Sequence, residues 1–521
     1  MPRPAAHSAT HSGSDQYVSK ILSALSDRPD DIAIGRPGGG YTRRQCADAI
    51  VSAAGALARS GIGPGHTVAV LADSNSPIML FVRYAANLVG AAVVYLRSTN
   101  AASSLEPLPD DQQLGILRET GASFLAVDAE HLERARRLRA ALDHRIDLGA
   151  YGGGHDAVDL AADDPGAAPD AFPAAADDLA VITYTTGTTG RPKGICRSYR
   201  AWRYAVETML GDEHTNMLVT TPLSHTVGPI ADAVLTAGGR LHVLAGFEPG
   251  AVLRALAAHR ITRVFWATPQ VYQVLDHPDL PATDLSSLNT LMYGGIPASP
   301  ERLAQAVGAL GPILVQSYGT TECWEIGRLE REDHTDARRR GSVGRPSWQA
   351  RVAVRDPDTG RDLAAGEIGE ICVSSPGILT EYFRDPERTA NTLRGNWFHT
   401  GDLGHVDADG YLYLVDRLQH RIKFDGVNVY PAEVEKTLLT HPAVAQAAVF
   451  GAPDADRVER IHAAVVLKPS AAATAEALRD HVRDRMSPRH APAIVQFRGE
   501  LPVIGSGKID KQLLRSEAAA P

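Results

Sequence analysis

YTTGTTGRPKG, residues 184–194, follows the apolar run LAVITY at 179–184 and leads into SYRAWRYAVETML, where apolar residues recur at helical spacing. A buried strand that opens into glycines and threonines before a helix suits a phosphate. Gly187, Gly190 and Gly194 let backbone N–H groups come close to an anion, Thr185, Thr186, Thr188 and Thr189 add hydroxyl donors, and Lys193 adds positive charge. This is not the nucleotide-binding GxxxxGK(S/T) loop, because Gly194 and not a hydroxyl residue follows Lys193.

The flanks of the loop repeat one alternation. Upstream, TVAVLA, AAVVYL and SFLAVD read as short buried strands, interleaved with RRQCADAIVSAAGALARSG and SPIMLFVRYAANLVG at helical period. Downstream, MLVTT, RLHVL, RVFWA, TLMYGG and ILVQSYG alternate with PGAVLRALAAHR and SPERLAQAVGAL. Such βαβα order implies parallel sheets covered by helices. Residues 150–178 are rich in Gly, Ala, Pro and Asp without periodicity and read as a surface linker between two α/β subdomains. From 341 to 416 short strands are punctuated by the turn signals DPDTG (356–360) and DADG (407–410), so this part is β-rich. The predicted organisation is a tail at 1–15, a large N-terminal domain at 16–418 and a small α+β C-terminal domain at 419–521.

Composition sets the outer limits. A chain of 521 residues exceeds one hydrophobic core, which stops growing near ~250–300 residues. With 44% hydrophobic and 22% charged residues and a net charge of -9, it shows no basic signature of a nucleic-acid binder. Cys46, Cys196, Cys323 and Cys372 are scattered without CxxC spacing, so neither a disulfide framework nor a zinc site is written, and a reducing compartment follows. The first fifteen residues lack an apolar stretch and no membrane-length apolar run occurs, which predicts a cytoplasmic protein with no membrane span. Only seven of the 52 basic residues are lysine, so a lysine inside a glycine-rich motif, as Lys193 is, is a better candidate for a specific role than it would be in a lysine-rich chain.

TTGTTGRPKG resembles the signature loop of the adenylate-forming superfamily, which holds acyl-CoA synthetases, peptide-synthetase adenylation domains and beetle luciferases. Further blocks stand in the family's order: SYGTTE at 317–322, HTGD at 399–402, DRLQHRIKFDG at 416–426 and GSGKIDK at 505–511. The resemblance spans almost the whole chain and is nearest to acyl-CoA ligases. It implies two α/β subdomains and a distorted β-barrel, followed by a mobile C-terminal domain. It also implies two half-reactions. A carboxylate attacks the α-phosphate of MgATP to give acyl-AMP and pyrophosphate, and a thiol then displaces AMP.

Roles carry over position by position as expectations. Tyr318, followed by Gly319 and Thr320, resembles the adenine-stacking residue, with Gly294, Gly295 and Ile296 as the opposite wall. Thr321 is similar in place to the α-phosphate contact and Glu322 to the Mg²⁺ ligand. Asp402 is expected on the ribose hydroxyls with Arg417 reinforcing it, Lys193 and Lys423 stand at motif positions, and Lys508 matches the mobile-domain lysine that bridges α-phosphate and carboxylate. Gly426 and VNVYPAEVE resemble the acyl-CoA synthetase version of their block, where the glycine keeps the pantetheine tunnel open. Gln419 departs from the family, whose hinge residue is commonly Asp or Lys.

For the acid, the resemblance implies a pocket among Ser224, His225, Tyr293, Gln316, Trp324 and Glu325. Ser224 replaces the aspartate that holds an α-ammonium in amino-acid-activating relatives, which argues against an α-amino acid. A buried Glu325 implies a hydrogen-bond donor on the ligand. The expected reaction is therefore ATP- and Mg²⁺-dependent thioester formation between CoA and a small aromatic or unsaturated carboxylic acid. Loading onto the phosphopantetheine of an acyl carrier protein, activation of nitrite for an arylamine, and a non-enzymatic nucleotide-binding module are the competing readings.

Overall fold

The computed structural model describes residues 17–99, 107–162, 174–186, 192–209, 211–424, 427–453, 459–502 and 509–518. Chain contacts divide the protein into two compact units, Met1–Arg351 with Val373–Phe398, and Val352–Cys372 with His399–Pro521.

The first unit is built on two sheets. One runs, edge to edge, Glu381–Tyr382, Pro192–Ser198, Leu179–Thr186, Ala92–Tyr95, Thr67–Leu71, Phe124–Val127, Asp147–Ala150, Val158–Asp159. The other runs Arg345–Pro346, Trp324–Leu329, Leu314–Thr320, Thr290–Gly294, Arg263–Ala267, Asn216–Val219, Arg240–Val243, Ile32–Arg36, Gly39–Thr42. Side-chain alternation decides which core each strand feeds. Val68 and Val70 point into a cluster shared with Ile34, Met217 and Val219 of the other sheet and with the helices Tyr17–Ser26, Arg43–Arg59, Ile78–Leu88, Tyr199–Thr208 and Val227–Thr236. Ala69 and Leu71 point the opposite way, under the helices Asp110–Thr120 and Leu132–Ala140. Strands buried on both faces must read as continuous apolar runs, which is how TVAVLA and AAVVYL read. The outer face of the second sheet packs Val264, Trp266 and Leu291 under Pro249–Ala258, Thr268–Leu275 and Pro300–Leu310.

One expectation needs correction. The stretch read as a plain surface linker contains an edge strand, Val158–Asp159, paired in parallel with Gly149 and Ala150, and Leu160 behind it is buried. Two residues of strand are too few to show a period of two, so no pattern marks them; residues 163–173 lie outside the described residues.

In the second unit Arg351–Arg355, Gly369–Ser374 and Trp397–Val406 lie side by side, and Leu412–Arg417 pairs antiparallel with Trp397–Val406, forming a half-barrel. Its turns are the ones DPDTG and DADG predict: Gly360 and Gly410 take φ of +73° and +84°, which glycine adopts without strain. The C-terminal part follows, with Val444–Pro453, Glu459–Leu467 and Ile494–Phe497 as a three-stranded sheet packed by Pro431–Leu439 and Ala475–Arg485. The fold is thus α/β with mixed sheets, a half-barrel and a separate C-terminal domain. Among the described residues no helix is long and apolar enough to cross a membrane, and all four cysteines are free and buried.

Candidate active site

The strands on either side of the glycine loop pair antiparallel with Thr185 opposite Lys193. Gly187, Thr188, Thr189 and Gly190 lie outside the described residues, as does the side chain of Thr186; Thr185 is half-buried, and its hydroxyl has no protein partner. Lys193 Nζ stands 2.6 Å from Glu322 Oε1 and 5.1 Å from the centre of the Tyr382 ring. The Tyr382 hydroxyl donates to the same Glu322 oxygen at 3.0 Å. Burial by itself would raise the Glu322 carboxyl, but the Lys193 charge and these two hydrogen bonds hold it below the usual carboxylate value. Glu322 is therefore a buried, ionised carboxylate beside a cation. Tyr382, absent from the sequence-based assignment, sits on a two-residue strand that pairs with Ile195, and no local motif announces it.

Gly294, Gly295 and Ile296 leave the carboxyl end of one parallel strand beside another, Gly294 opposite Ser317. The carboxyl edge of such a sheet is where open α/β folds bind ligands. A Cβ on Gly294 would lie 2.3 Å from the Ser317 carbonyl oxygen, so only glycine allows this approach. Thr268 Oγ1 donates toward the carbonyls of Gly294 (3.3 Å) and Ile296 (2.9 Å) and holds the turn. On the neighbouring hairpin a Cβ on Gly319 would meet the Trp324 carbonyl oxygen at 1.7 Å. Tyr318 is buried, Thr321 half-buried, and Thr320 Oγ1 lies 3.3 Å from Cys323 Sγ. Trp324 takes φ of +59°, an uncommon conformation for a bulky residue.

The acid-pocket candidates separate. Ser224 and His225 are buried side by side, Ser224 Oγ 2.8 Å from His225 Nδ1. Burial pushes His225 down to about 4, so its ring is neutral at pH 7. The unfolded chain, with a histidine near pKa 6.5, takes up the proton first as pH falls. Stability should then drop by about 1.4 kcal/mol per pH unit between roughly pH 6.5 and 4 on account of this group. His225→Gln should remove that increment, measured as denaturant midpoints of both proteins at pH 7 and pH 5; equal acid sensitivity would refute the assignment.

Three candidates are corrected. Tyr293 and Gln316 do not stand open to a ligand: the Tyr293 hydroxyl lies 2.9 Å from His334 Nε2 and 3.3 Å from Gln316 Oε1, and the ring is fully buried in the helix-covered core. Glu325 is buried, but Arg328 Nη1 donates to one oxygen at 3.1 Å and Ser347 Oγ to the other at 2.9 Å. Its carboxylate needs no donor from a substrate. Trp324 is buried edge-on to Trp202, ring centres 5.7 Å apart.

In the second unit Asp402 lies opposite Arg417, and Arg417 Nε meets Asp402 Oδ1 at 2.8 Å. The Asp402 amide donates to Thr400 Oγ1 at 2.9 Å, which fixes the backbone of the HTGD block. Lys423 is exposed and bonded to Asp358 at 2.9 Å beside Arg421, so here its charge is spent on the DPDTG turn. Gln419 is exposed on the 3₁₀ turn Leu418–His420. Lys508 and Gly426 lie outside the described residues.

The sequence pattern of the AMP-binding enzyme family matches residues 23–383, and that of the AMP-binding enzyme C-terminal domain matches 433–508. The chain belongs to the AMP-binding enzymes. Within this family it is close to acyl-CoA ligases and is an enzyme of the AMP-forming acid:CoA ligase type. It is 36% identical to the medium/long-chain-fatty-acid–CoA ligase FadD8 of Mycobacterium tuberculosis, over 91% of this chain and 85% of that one. It is also 36% identical to a feruloyl-CoA synthase of an Amycolatopsis species, over 94% of this chain and 96% of the relative. Among solved structures, the amide bond synthetase McbA of Marinactinospora thermotolerans superposes with a TM-score of 0.83 at 35% identity, covering 97% of this chain and 99% of McbA.

Proposed function

We propose that this AMP-binding enzyme activates a small aromatic or unsaturated carboxylic acid without an α-amino group, as acyl-AMP, and passes the acyl group to CoA. The observation that carries the adenylating part is the Lys193–Glu322 pair at 2.6 Å, held at the end of the glycine loop. Adenylation sets an anion against a polyanion, so cations aimed at the phosphates should dominate catalysis. Lys193 and Lys508 are assigned that role, Thr321 the α-phosphate, Tyr318 with Gly294, Gly295 and Ile296 the adenine, and Asp402 with Arg417 the ribose hydroxyls. An ionised carboxylate suits Mg²⁺, which is commonly held by one or two carboxylates together with phosphates. Glu322 would hold it, and the ion would neutralise phosphate charge. Residues 419–521 are proposed to turn about Gln419 so that Lys508 gives way to Gly426 at the thiol.

The absence of an α-amino group draws on the resemblance at Ser224 and the aromatic reading on the likeness to a feruloyl-CoA synthase, while FadD8 points to longer aliphatic acids. A second acceptor is favoured by the McbA likeness: an amine in place of the thiol would give an amide. A carrier-protein phosphopantetheine is a third. Nitrite activation for an arylamine is a fourth, without the help Glu325 would have given at the amine, because that carboxylate is already paired with Arg328 and Ser347. One experiment sorts these: pyrophosphate release with MgATP across aryl, cinnamyl and fatty acids and nitrite, each with CoA, with an amine or with neither. AMP and pyrophosphate are expected, with a CoA thioester from a small aryl or cinnamyl acid. ADP as the stoichiometric product would refute the adenylating reading, and preference for long-chain acids would refute the aromatic one.

A further inference from the structure

Lys193 is not the only cation on its strand. Within Pro192–Ser198, Lys193, Ile195 and Arg197 share one face, while Cys196 turns to the opposite face and packs with Ile182 and Tyr184. Arg197 is 0% exposed, and none of Nε, Nη1 and Nη2 has a hydrogen-bond partner. Its guanidinium carbon lies 3.9 Å from the centre of the Trp324 ring. That contact sets the cation over the ring and satisfies none of the guanidinium N–H groups with a hydrogen-bond acceptor atom. Burial pulls Arg197 down to about 10, with Glu322 acting against it, so it stays charged at neutral pH. Glu322 itself is taken by Lys193 and Tyr382. The indole Nε1 of Trp324 is buried and unpartnered as well.

Arg197 and Trp324 thus bring donors together where no described acceptor answers them, and a buried charge without a partner is costly to the fold. Resting on the acid-ligase reading, we propose that Arg197 and Trp324 Nε1 form an acceptor subsite. It takes an anionic group at the far end of the acid, a second carboxylate above all, and not the carboxylate being activated. Position favours the far end: Arg197 is four residues beyond Lys193, about 13 Å along an extended strand. The substrate preference this sets is the reverse of the one a free Glu325 would have set. The acid should carry an acceptor, not a donor or a cation, at its distal end.

The test compares terephthalate with benzoate, as kcat/KM for pyrophosphate release, in wild type, Arg197→Met, Arg197→Lys and Trp324→Phe. Wild type should prefer terephthalate; Arg197→Met should lower the terephthalate-to-benzoate ratio at least about tenfold, with Arg197→Lys and Trp324→Phe in between. Arg197→Met should also melt at the same or a higher temperature than wild type without ligand, since an unpaired buried charge is gone. An unchanged ratio in a folded Arg197→Met enzyme overturns the proposal. So does an equal loss on both acids, which would put the guanidinium on the reacting carboxylate or in the scaffold, and so does a lowered melting temperature with an unchanged ratio in Trp324→Phe. If no acid supports pyrophosphate release in wild type, the acid-ligase reading is what fails. Calorimetric binding of terephthalate to wild type and Arg197→Met then decides the subsite: binding lost with the arginine supports it, and equal binding or none overturns it.

Discussion

Glu322→Gln is expected to lower MgATP-dependent pyrophosphate release by on the order of 10²-fold or more, with the fold retained. The substitution keeps the shape and leaves an oxygen for the Tyr382 hydroxyl, now 3.0 Å away. It removes the charge that Lys193 pairs with at 2.6 Å, and a neutral amide is a poor ligand for Mg²⁺. Because Glu322 is held ionised in the fold, the carboxylate is present at every pH at which the enzyme is assayed near neutrality. The loss should show in kcat and in the concentration of MgATP needed, measured by varying MgATP at saturating acid on protein shown to be folded by circular dichroism. Wild-type rates would remove Glu322 from the proposed metal role.

The largest effect on stability is expected at Asp232. Its carboxylate is fully buried and accepts from Arg83 Nη2, from the Tyr84 hydroxyl at 2.5 Å and from Trp202 Nε1 at 2.9 Å. Arg83 is itself fully buried, its guanidinium 4.9 Å from the centre of the Trp202 ring. Asp232→Ala leaves that arginine charged and unpaired, which should cost about 3–5 kcal/mol. Guanidinium chloride unfolding followed by circular dichroism measures it. The paired replacement Arg83→Met with Asp232→Leu should recover most of the loss, because the cost lies in the orphaned charge more than in the missing bond. A single-mutant loss below about 1 kcal/mol, the scale of an exposed pair, would contradict the buried network. Trp202 packs edge-on to Trp324, so damage at Asp232 should also reach the wall that Arg197 shares.

The sequence by itself determined what depends on neighbours along the chain. The continuous apolar run of TVAVLA, helical spacing in SYRAWRYAVETML, the turns at DPDTG and DADG and the glycine loop before Lys193 are local patterns with local causes. Gly294 and Gly319 belong with them: each stands where a Cβ would strike a facing carbonyl, and each lies in a block legible in the sequence. The tertiary structure alone decided which polar groups are answered. Tyr382 reaches Glu322 across 60 residues of chain, and Lys193 reaches it across 129. Ser347, 22 residues on, closes Glu325, and His334 closes Tyr293 from 41 residues away. Strand parity puts Arg197 on the same face as Lys193, yet nothing local says that one cation is paired and the other is not. Hydrogen-bond satisfaction and desolvation sum over everything that packs around a group, and those neighbours come from strands and turns far apart in sequence.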